Sequence, residues 1–497
     1  MKPTSCVLGI DLGTSAIKLV AVSSDGRVIA SARESYGATF TISGQAEQDC
    51  QHWLKALSVA AKKIESRLEN KARVAGIALT GQMPTLVMLR DQRPVAPAIT
   101  WQDSRADAWV SARVDNDLRR EIYLKTGILI DGRYLAPMFQ YHHRAKGYKA
   151  SLILSAKDFL FHALTGLAVT DPSTASGYGL YNLQTKAWDL ALCKLWDIDT
   201  EQLPSVESSS FRAPLSKRGR QLLGCALGTP VVLGCADSVA GVYALSGDKS
   251  LAHRATVLTG TSTVIMKCDS QPRWDRQSRY LITPFAVDGW FGCEADLLAT
   301  GSAREWAAGI FLRRSNKKAQ RALWQSAYAV APGADGLFFT PYLAGGEQGV
   351  LWNPRLRGTL TGLTLDHDGA RIARALIEGM CFEIRRCLKV FEEEGLLSHV
   401  RVAGWMAHTP EESQLLADIT GWPVQAFAVG SPSAVGAALI SCMVDHEKHF
   451  EKTKTFALSP SEQSQRYNEI YARYVAKFPT ADTICNPVAY SNPNAPR

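Results

Sequence analysis

The chain opens on a short apolar run, Val7-Leu8-Gly9-Ile10, that ends in the carboxylate of Asp11. Leu12-Gly13-Thr14-Ser15 follow, and then the β-branched, alternating stretch Ile17-Lys18-Leu19-Val20-Ala21-Val22. This pattern predicts strand, tight turn and strand. Asp25-Gly26 marks the next turn and Arg27 to Ala30 a third strand. The period then lengthens. Leu54, Leu57, Ala60, Ala61, Ile64 and Leu68 recur at helical spacing, so Trp53 to Leu68 predicts an amphipathic helix. A buried strand over Val74 to Leu79 runs into Thr80-Gly81-Gln82-Met83-Pro84, and Thr85 to Leu89 is another strand. Helices are expected over 106–125 and 137–146, and the small, polar stretch 170–177 reads as loop. Pro230 to Gly234 is an apolar strand that delivers Cys235-Ala236-Asp237-Ser238 at its end, with a helix from Ala240.

The pattern then restarts. Val257-Leu258-Thr259-Gly260-Thr261-Ser262-Thr263-Val264-Ile265-Met266 repeats apolar strand, Gly-Thr-Ser and β-branched strand. Gly13 and Gly260 lie 260 − 13 = 247 positions apart, close to half of the 497 residues. Two such hairpins, one per half, predict a duplicated α/β domain with a cleft between the halves, divided as 1–246 and 247–497. In the second half, helices are expected over Leu297 to Phe311, Gly369 to Glu394, Glu411 to Thr420 and Ala434 to Val444. Strands are expected over Leu337 to Pro341, Val400 to Ala403 and Val424 to Phe427, and a frayed tail from Asn486.

A chain of this length exceeds one core and predicts roughly two to four domains. Apolar residues make up 46% and charged residues 21%, the balance of a soluble globular protein. The net charge of +8 is spread along the chain. Its densest clusters, Arg313-Arg314 and Lys317-Lys318, read as a solvated helix face, so no nucleic-acid partner is expected. The eleven cysteines include no C-x-x-C pair and no Cys/His ligand spacing, as in a reduced, cytoplasmic protein. No charged-then-apolar leader opens the chain, and no apolar run reaches the ~18 residues that span a bilayer, so no membrane partner is expected.

The chemistry concentrates at strand ends. Gly13 lets a ligand approach the backbone, and the turn amides with the hydroxyls of Thr14 and Ser15 can hold phosphate oxygens. Asp11 sits where a magnesium ion on those phosphates would take an oxygen ligand. The same stretch is also compatible with an ordinary hairpin with a polar turn. Asp237 follows a buried strand, where α/β proteins place ligands. A carboxylate there can take a proton from a substrate hydroxyl or simply cap the helix. Asp103 with Arg105 could bind sugar hydroxyls or form a surface ion pair. Gln82 and Met83 could line the same crevice or belong to core. Glu347, in a Gly-rich loop, is either polar loop or support for a site. No G-x-S-x-G elbow follows a strand and no G-x-x-x-x-G-K-[ST] loop is present, which disfavours serine hydrolases and P-loop chemistry.

Taken together these residues resemble the FGGY family of carbohydrate kinases, in the actin/hexokinase/Hsp70 ATPase superfamily. The resemblance runs from Gly9 to about Met443 on an ordered set of short motifs. They include Gly9-Ile10-Asp11-Leu12-Gly13-Thr14-Ser15, Glu47-Gln48-Asp49 before Trp53, Gly81-Gln82-Met83, Asp103-Ser104-Arg105, Leu164-Thr165-Gly166, Asp171 with Ala175-Ser176-Gly177, Gly234 with Asp237, Thr259-Gly260-Thr261-Ser262, and Ala417-Asp418-Ile419-Thr420-Gly421. The look is nearest to xylulokinases and related ketose or polyol kinases. The resemblance implies two ribonuclease-H-like (actin-like ATPase) domains and transfer of the ATP γ-phosphate to a hydroxyl of a small-molecule sugar. Asp237 would be the general base and Asp11 the residue that positions Mg2+. Gln82, Met83, Asp103 and Ser238 would bind the sugar. Gly13, Thr14, Ser15, Lys18, Gly260, Thr261, Ser262, Gly404 and Trp405 would bind the nucleotide. Oligomeric state stays open, a homodimer included.

The chain also departs from the family pattern. The adenosine loop, a glycine triplet with small residues in the family, is Ala403-Gly404-Trp405-Met406-Ala407-His408 here, where Trp405 either stacks on adenine or obstructs it. Pro84 replaces the histidine of xylulokinase-like members, and Ser238 the usual asparagine. Met138, Tyr141, Gln348 and Arg371 also stand at positions where the family prefers other residues. The altered loop raises a second reading, a sugar-binding regulatory relative with impaired catalysis. A chaperone- or filament-type ATPase fits less well, because the sugar-side matches at Gln82 and Asp103 have no place in it.

Overall fold

The computed structural model describes residues 4–37, 39–40, 44–69, 72–246, 251–312, 317–344, 348–353, 356–445, 447–449 and 453–478. Contacts group the chain into two compact units. One comprises Met1–Ala252, Cys268–Cys293 and Val429–Lys454, the other His253–Lys267, Glu294–Ala428 and Thr455–Arg497. Glu347 and the tail from Asn486 lie outside the described residues.

The first unit is built on strands β1 (Thr4–Leu12), β2 (Ala16–Ser23), β3 (Val28–Ser35), β4 (Ala72–Gly81), β5 (Arg212–Pro214) and β6 (Pro230–Ala236), in the order β5-β6-β4-β1-β2-β3. β1 and β2 form the expected hairpin, and β1, β4 and β6 run parallel. β1 is buried from Cys6 to Leu12, as its unbroken apolar character requires of a strand covered on both faces. The helix Cys50–Leu68 packs its apolar stripe on β2 and β3. On β1 lies the helix Pro432–Ile440, so close that a Cβ on Gly9 would sit 2.0 Å from the Ala434 carbonyl oxygen. The same helix packs on Asp237–Ala244, where a Cβ on Gly436 would sit 1.8 Å from the Ala240 carbonyl.

One register row sets up the site. Leu12 is paired with Gly81, and Gly81 with Ala236. Three chain exits therefore leave one edge of the sheet side by side: the 13–15 turn, Gln82-Met83 and Asp237-Ser238. β6 reaches this row through a break between Val232 and Cys235, at Gly234, whose φ is 70°.

The second unit carries strands β7 (Arg254–Thr259), β8 (Thr263–Asp269), β9 (Phe291–Leu297), β10 (His399–Gly404), β11 (Val424–Phe427) and β12 (Thr455–Leu458), with neighbours in the order β9-β8-β7-β10-β11-β12. β7 and β8 form a hairpin, β7, β10 and β11 run parallel, and β12 is antiparallel. This repeats the first unit's order, as the echo of Gly13 at Gly260 predicts. The duplication is not perfect: the antiparallel edge strand precedes its partner in the first unit and follows it in the second.

Several boundaries differ from expectation. The helix expected over 106–125 is two helices, Asp107–Ser111 and Asn116–Thr126, because Asp115 caps the second by accepting from the Leu118 amide. The 170–177 stretch holds a short helix, Pro172–Ser176, capped by Asp171. Leu297 ends a strand, and its helix begins only at Gly301. The helix expected over 434–444 is Pro432–Ile440. The helices Lys317–Tyr328 and Gln463–Lys477 were not expected. The ten cysteines among the described residues are free thiols, most of them buried. Among the described residues no helix is long and apolar enough to cross a membrane.

Gly234 gives a direct test of how the edge is built. A Cβ there would fall 1.6 Å from the Leu79 carbonyl oxygen, on a backbone already in the left-handed region. Gly234→Ala is expected to lower stability by about 3 kcal/mol or more in urea unfolding. A change under about 1 kcal/mol would refute the tight crossing.

Candidate active site

Asp11 and Lys18 face each other across the β1–β2 hairpin. Lys18 Nζ lies 2.9 Å from Asp11 Oδ2. The other oxygen, Asp11 Oδ1, is buried with no partner among the described residues. The Asp11 carboxylate holds the Lys18 ammonium above its ordinary range; burial opposes this, and Asp237 adds to it. Tyr36 donates its hydroxyl to the Gly13 carbonyl. Its phenol is pushed up by burial first, then by Asp11 and Asp237. The two carboxylates thus act on the same pair of neighbours. Thr14 is half-buried and Ser15 exposed in the turn between the strands.

Asp237 is the first residue of its helix, and the N-cap position belongs to Ala236, which makes no side-chain cap. Asp237 thus stands one position past the N-cap. Its Oδ1 accepts from the Ser238 amide at 3.0 Å, and the side chain is half-buried. The backbone that carries it is pinned from both sides. Thr80 Oγ1 donates to the Cys235 carbonyl at 2.7 Å, and the Ala236 amide donates to Ser173 Oγ at 3.0 Å. Ser173 donates to Asp171, which pairs with the fully buried Lys157 at 3.1 Å. Lys157 also meets Asp158 at 2.8 Å, and Tyr178 donates to Asp158. Burial pulls the Lys157 ammonium down, and the two carboxylates more than offset it. Removing one member would leave a buried charge uncompensated.

Gln82 is buried at the next exit, where its amide donates to the Leu12 carbonyl at 2.8 Å. Met83 packs on Gly177, where a Cβ would lie 2.8 Å from Met83 Cγ. Asp103 is no surface ion pair. It is buried, Arg105 grips both of its oxygens, and Oδ2 also accepts from the Ala46 amide at 2.9 Å. Arg105 reaches on to Glu47 at 2.6 Å, so Asp103 acts by holding the guanidinium.

In the second unit the Gly260-Thr261-Ser262 turn is closed by the Gly260 amide donating to the Ser262 carbonyl at 2.8 Å. The helix Gly301–Leu312 starts against it. The Gly301 amide donates to the Gly260 carbonyl at 3.1 Å, and the Ser302 amide to Thr261 at 3.2 Å. Gly404 pairs with Thr259 across β7–β10, and its φ of 88° and a Cβ position 1.8 Å from the Thr259 carbonyl oxygen admit only glycine. Trp405 is buried, with its ring 4.1 Å from the Arg304 guanidinium, which also lies 4.7 Å from the Trp324 ring. Arg304 pairs with Glu412 at 3.1 Å. One face of the Trp405 indole thus carries Arg304, and its buried Nε1 has no partner among the described residues.

Residues 6–244 match the N-terminal domain of the FGGY family of carbohydrate kinases, and residues 255–444 its C-terminal domain. The chain belongs to this family. It is therefore a carbohydrate kinase, of a family that uses ATP with a divalent metal. It is 27% identical to a gluconokinase of Bacillus licheniformis over 453 residues, 88% of this chain and 87% of that protein. It is also 27% identical to a xylulose kinase of Lactococcus lactis over 445 residues, with the same coverage. The fold matches the crystal structure of a gluconate kinase from Lactobacillus acidophilus with a TM-score of 0.86 at 23% identity, over 95% of this chain and 97% of that one.

Sequence reasoning missed Tyr36, Gln48, Lys157 and Ser173 as parts of this FGGY site. The adjacent charges Lys157-Asp158 inside an apolar stretch were a usable signal, since such residues are rarely buried unless paired. Tyr36 carried none.

The Asp103–Arg105 cluster makes a pH prediction. Burial first, and then Arg105, push the His142 imidazole down to about 4 against the opposing pull of Asp103 and Glu47. The unfolded chain, with its histidine near 6.5, therefore takes up this proton first. The stability held by the neutral ring is full above about pH 6.5 and is lost as pH falls toward 4. Urea titrations across that window should show a slope that His142→Gln flattens by on the order of 2 kcal/mol. An unchanged slope would refute it.

Proposed function

We propose that the chain phosphorylates a hydroxyl of a ketopentose such as xylulose, or of a related ketose or polyol, with ATP and Mg2+. The observation that carries this reading is the register row that brings the ends of the Asp11 and Asp237 strands to one sheet edge, with Lys18 held 2.9 Å from Asp11. Asp237 is the general base: its carboxylate takes the proton of the attacking hydroxyl as the phosphoryl group moves. Lys18, the 13–15 turn amides and the hydroxyls of Thr14 and Ser15 hold the phosphates. Gln82, Met83 and Ser238 form the acceptor site, with Asp103 acting through Arg105. Gly260, Thr261, Ser262 and Gly404 form the second nucleotide element, and Trp405 supports it from within its own unit.

The donor set suits magnesium. Asp11 keeps one buried oxygen in reserve, and no cluster of three metal-ligating side chains exists among the described residues. An ion held by one or two carboxylates, with water and phosphate oxygens for the rest, is the usual magnesium arrangement. Asp11 would hold it, and it would supply charge neutralisation at the phosphates.

The test is coupled ADP release with a panel of ketoses, polyols, aldoses and aldonates. Sugar-stimulated turnover is expected with a ketose or polyol. Asp237→Ala should lower kcat by about 10³-fold, within the range of a lost general base, while the melting temperature holds. Full turnover in that variant, or none by the wild type with any acceptor, would overturn the reading.

A further inference from the structure

Behind the acceptor site runs a chain of hydrogen bonds that neither the proposed catalysis nor the family resemblance assigns to any task. Gln48 Oε1 accepts from Trp53 Nε1 at 3.0 Å and from Gln82 Nε2 at 2.9 Å. Gln48 Nε2 donates to the Thr14 carbonyl at 2.6 Å. The amide orientations are fixed by chemistry. An indole N–H can only donate, so the oxygen of Gln48 must face Trp53, and its NH2 group must face Thr14. Gln82 must then turn its own NH2 group to Gln48. Its oxygen is left pointing elsewhere, buried and with no partner among the described residues. Trp101 holds the other side of the turn, donating from Nε1 to Thr14 Oγ1 at 3.1 Å.

We propose that Gln48 is a positioning residue that links acceptor binding to the phosphate-holding turn. This rests on the function proposed above. A buried acceptor without a donor destabilises its surroundings by about 1–3 kcal/mol. Gln82 Oε1 therefore recognises a hydroxyl of the acceptor, which donates to it. Once that bond forms, the Gln82 amide is fixed from both ends, and through Gln48 so is the Thr14 carbonyl. The turn that holds the nucleotide phosphates is then set in place by the sugar. Linkage makes the effect reciprocal: nucleotide on the turn must tighten acceptor binding by the same factor. The pairs are buried, where each hydrogen bond polarises the next.

The relay predicts a coupling that can be severed without touching ligand-binding groups. Calorimetry would measure a non-hydrolysable ATP analogue with Mg2+ binding to the full chain, with and without the acceptor that drives ADP release. In the wild type the acceptor should tighten the analogue at least about fivefold. Gln48→Glu keeps the oxygen that Trp53 and Gln82 need, and puts an oxygen where the donor to Thr14 stood. Gln48→Met is uncharged and of similar length. Both should bring the factor to within about twofold of unity, and the KM for ATP should no longer fall as acceptor rises. A merely structural Gln48 would lower the melting temperature and kcat but leave the factor unchanged, and that result overturns the relay. So does a wild type that turns over with no coupling at all. A wild type that neither binds nor phosphorylates any acceptor overturns the functional reading, and the relay with it.

Discussion

The pairing of Leu12 with Gly81 and of Gly81 with Ala236 is the constraint on which the first unit's candidate site depends. Three strands that end level with one another put three unrelated loops within reach of one ligand. Holding that row takes close backbone packing. The helix Pro432–Ile440 can lie on β1 and on the Asp237 helix only because Gly9 and Gly436 lack side chains. Gly234 bends β6 so that Cys235 and Ala236 rejoin the register. A methyl group at any of these three points meets a carbonyl oxygen at 2.0 Å or less. Close packing of this kind does not relax gradually, so the edge is either built or lost.

A second layer of order lies beneath the row. Lys157 is fully buried between Asp158 and Asp171, and Asp171 orders the Ser173 hydroxyl that receives the Ala236 amide. Buried charges are weak evidence for net stability, since desolvation opposes their attraction. Their effect here is geometric. Every group in the set has a fixed direction, and the last bond ends one residue before Asp237. The Gln48 amide does the same for the 13–15 turn, with Trp53 fixing which of its atoms faces Thr14.

Much of this was legible in the sequence. The hairpins at Gly13 and Gly260 could be read because apolar, β-branched runs around Gly-Thr-Ser have few other solutions. The place of Asp237 at the end of a buried strand could be read because an apolar run leads into it. What stayed hidden depends on neighbours far along the chain. Nothing local tells that Tyr36 will reach Gly13, or that Gln48 will stand between Thr14 and Gln82. The Asp103–Arg105 pair was visible, but its burial was not, because the Ala46 amide and Glu47 that enclose it come from another strand. The Arg304 guanidinium that lies over Trp405, about a hundred positions away, was equally hidden.

The two copies of the hairpin differ in the side chains beside their turns. In the first unit the second cross-strand pair from the turn is Asp11 with Lys18, and in the second unit it is Leu258 with Val264. A carboxylate and an ammonium suit a metal and phosphates; a pair of aliphatic side chains suits neither. Gly81 and Gly404 occupy corresponding places beside the two hairpins, and the residues that follow them are Gln82 and Trp405. Gln82 leaves a buried oxygen without a donor and Trp405 a buried Nε1 without an acceptor among the described residues, and the Trp405 ring packs on an arginine. The second turn also spends its carbonyls on the start of the helix Gly301–Leu312, which makes it a rigid platform. The cross-strand pairs nearest the second turn, Leu258 with Val264 and Thr259 with Thr263, thus hold no charged group.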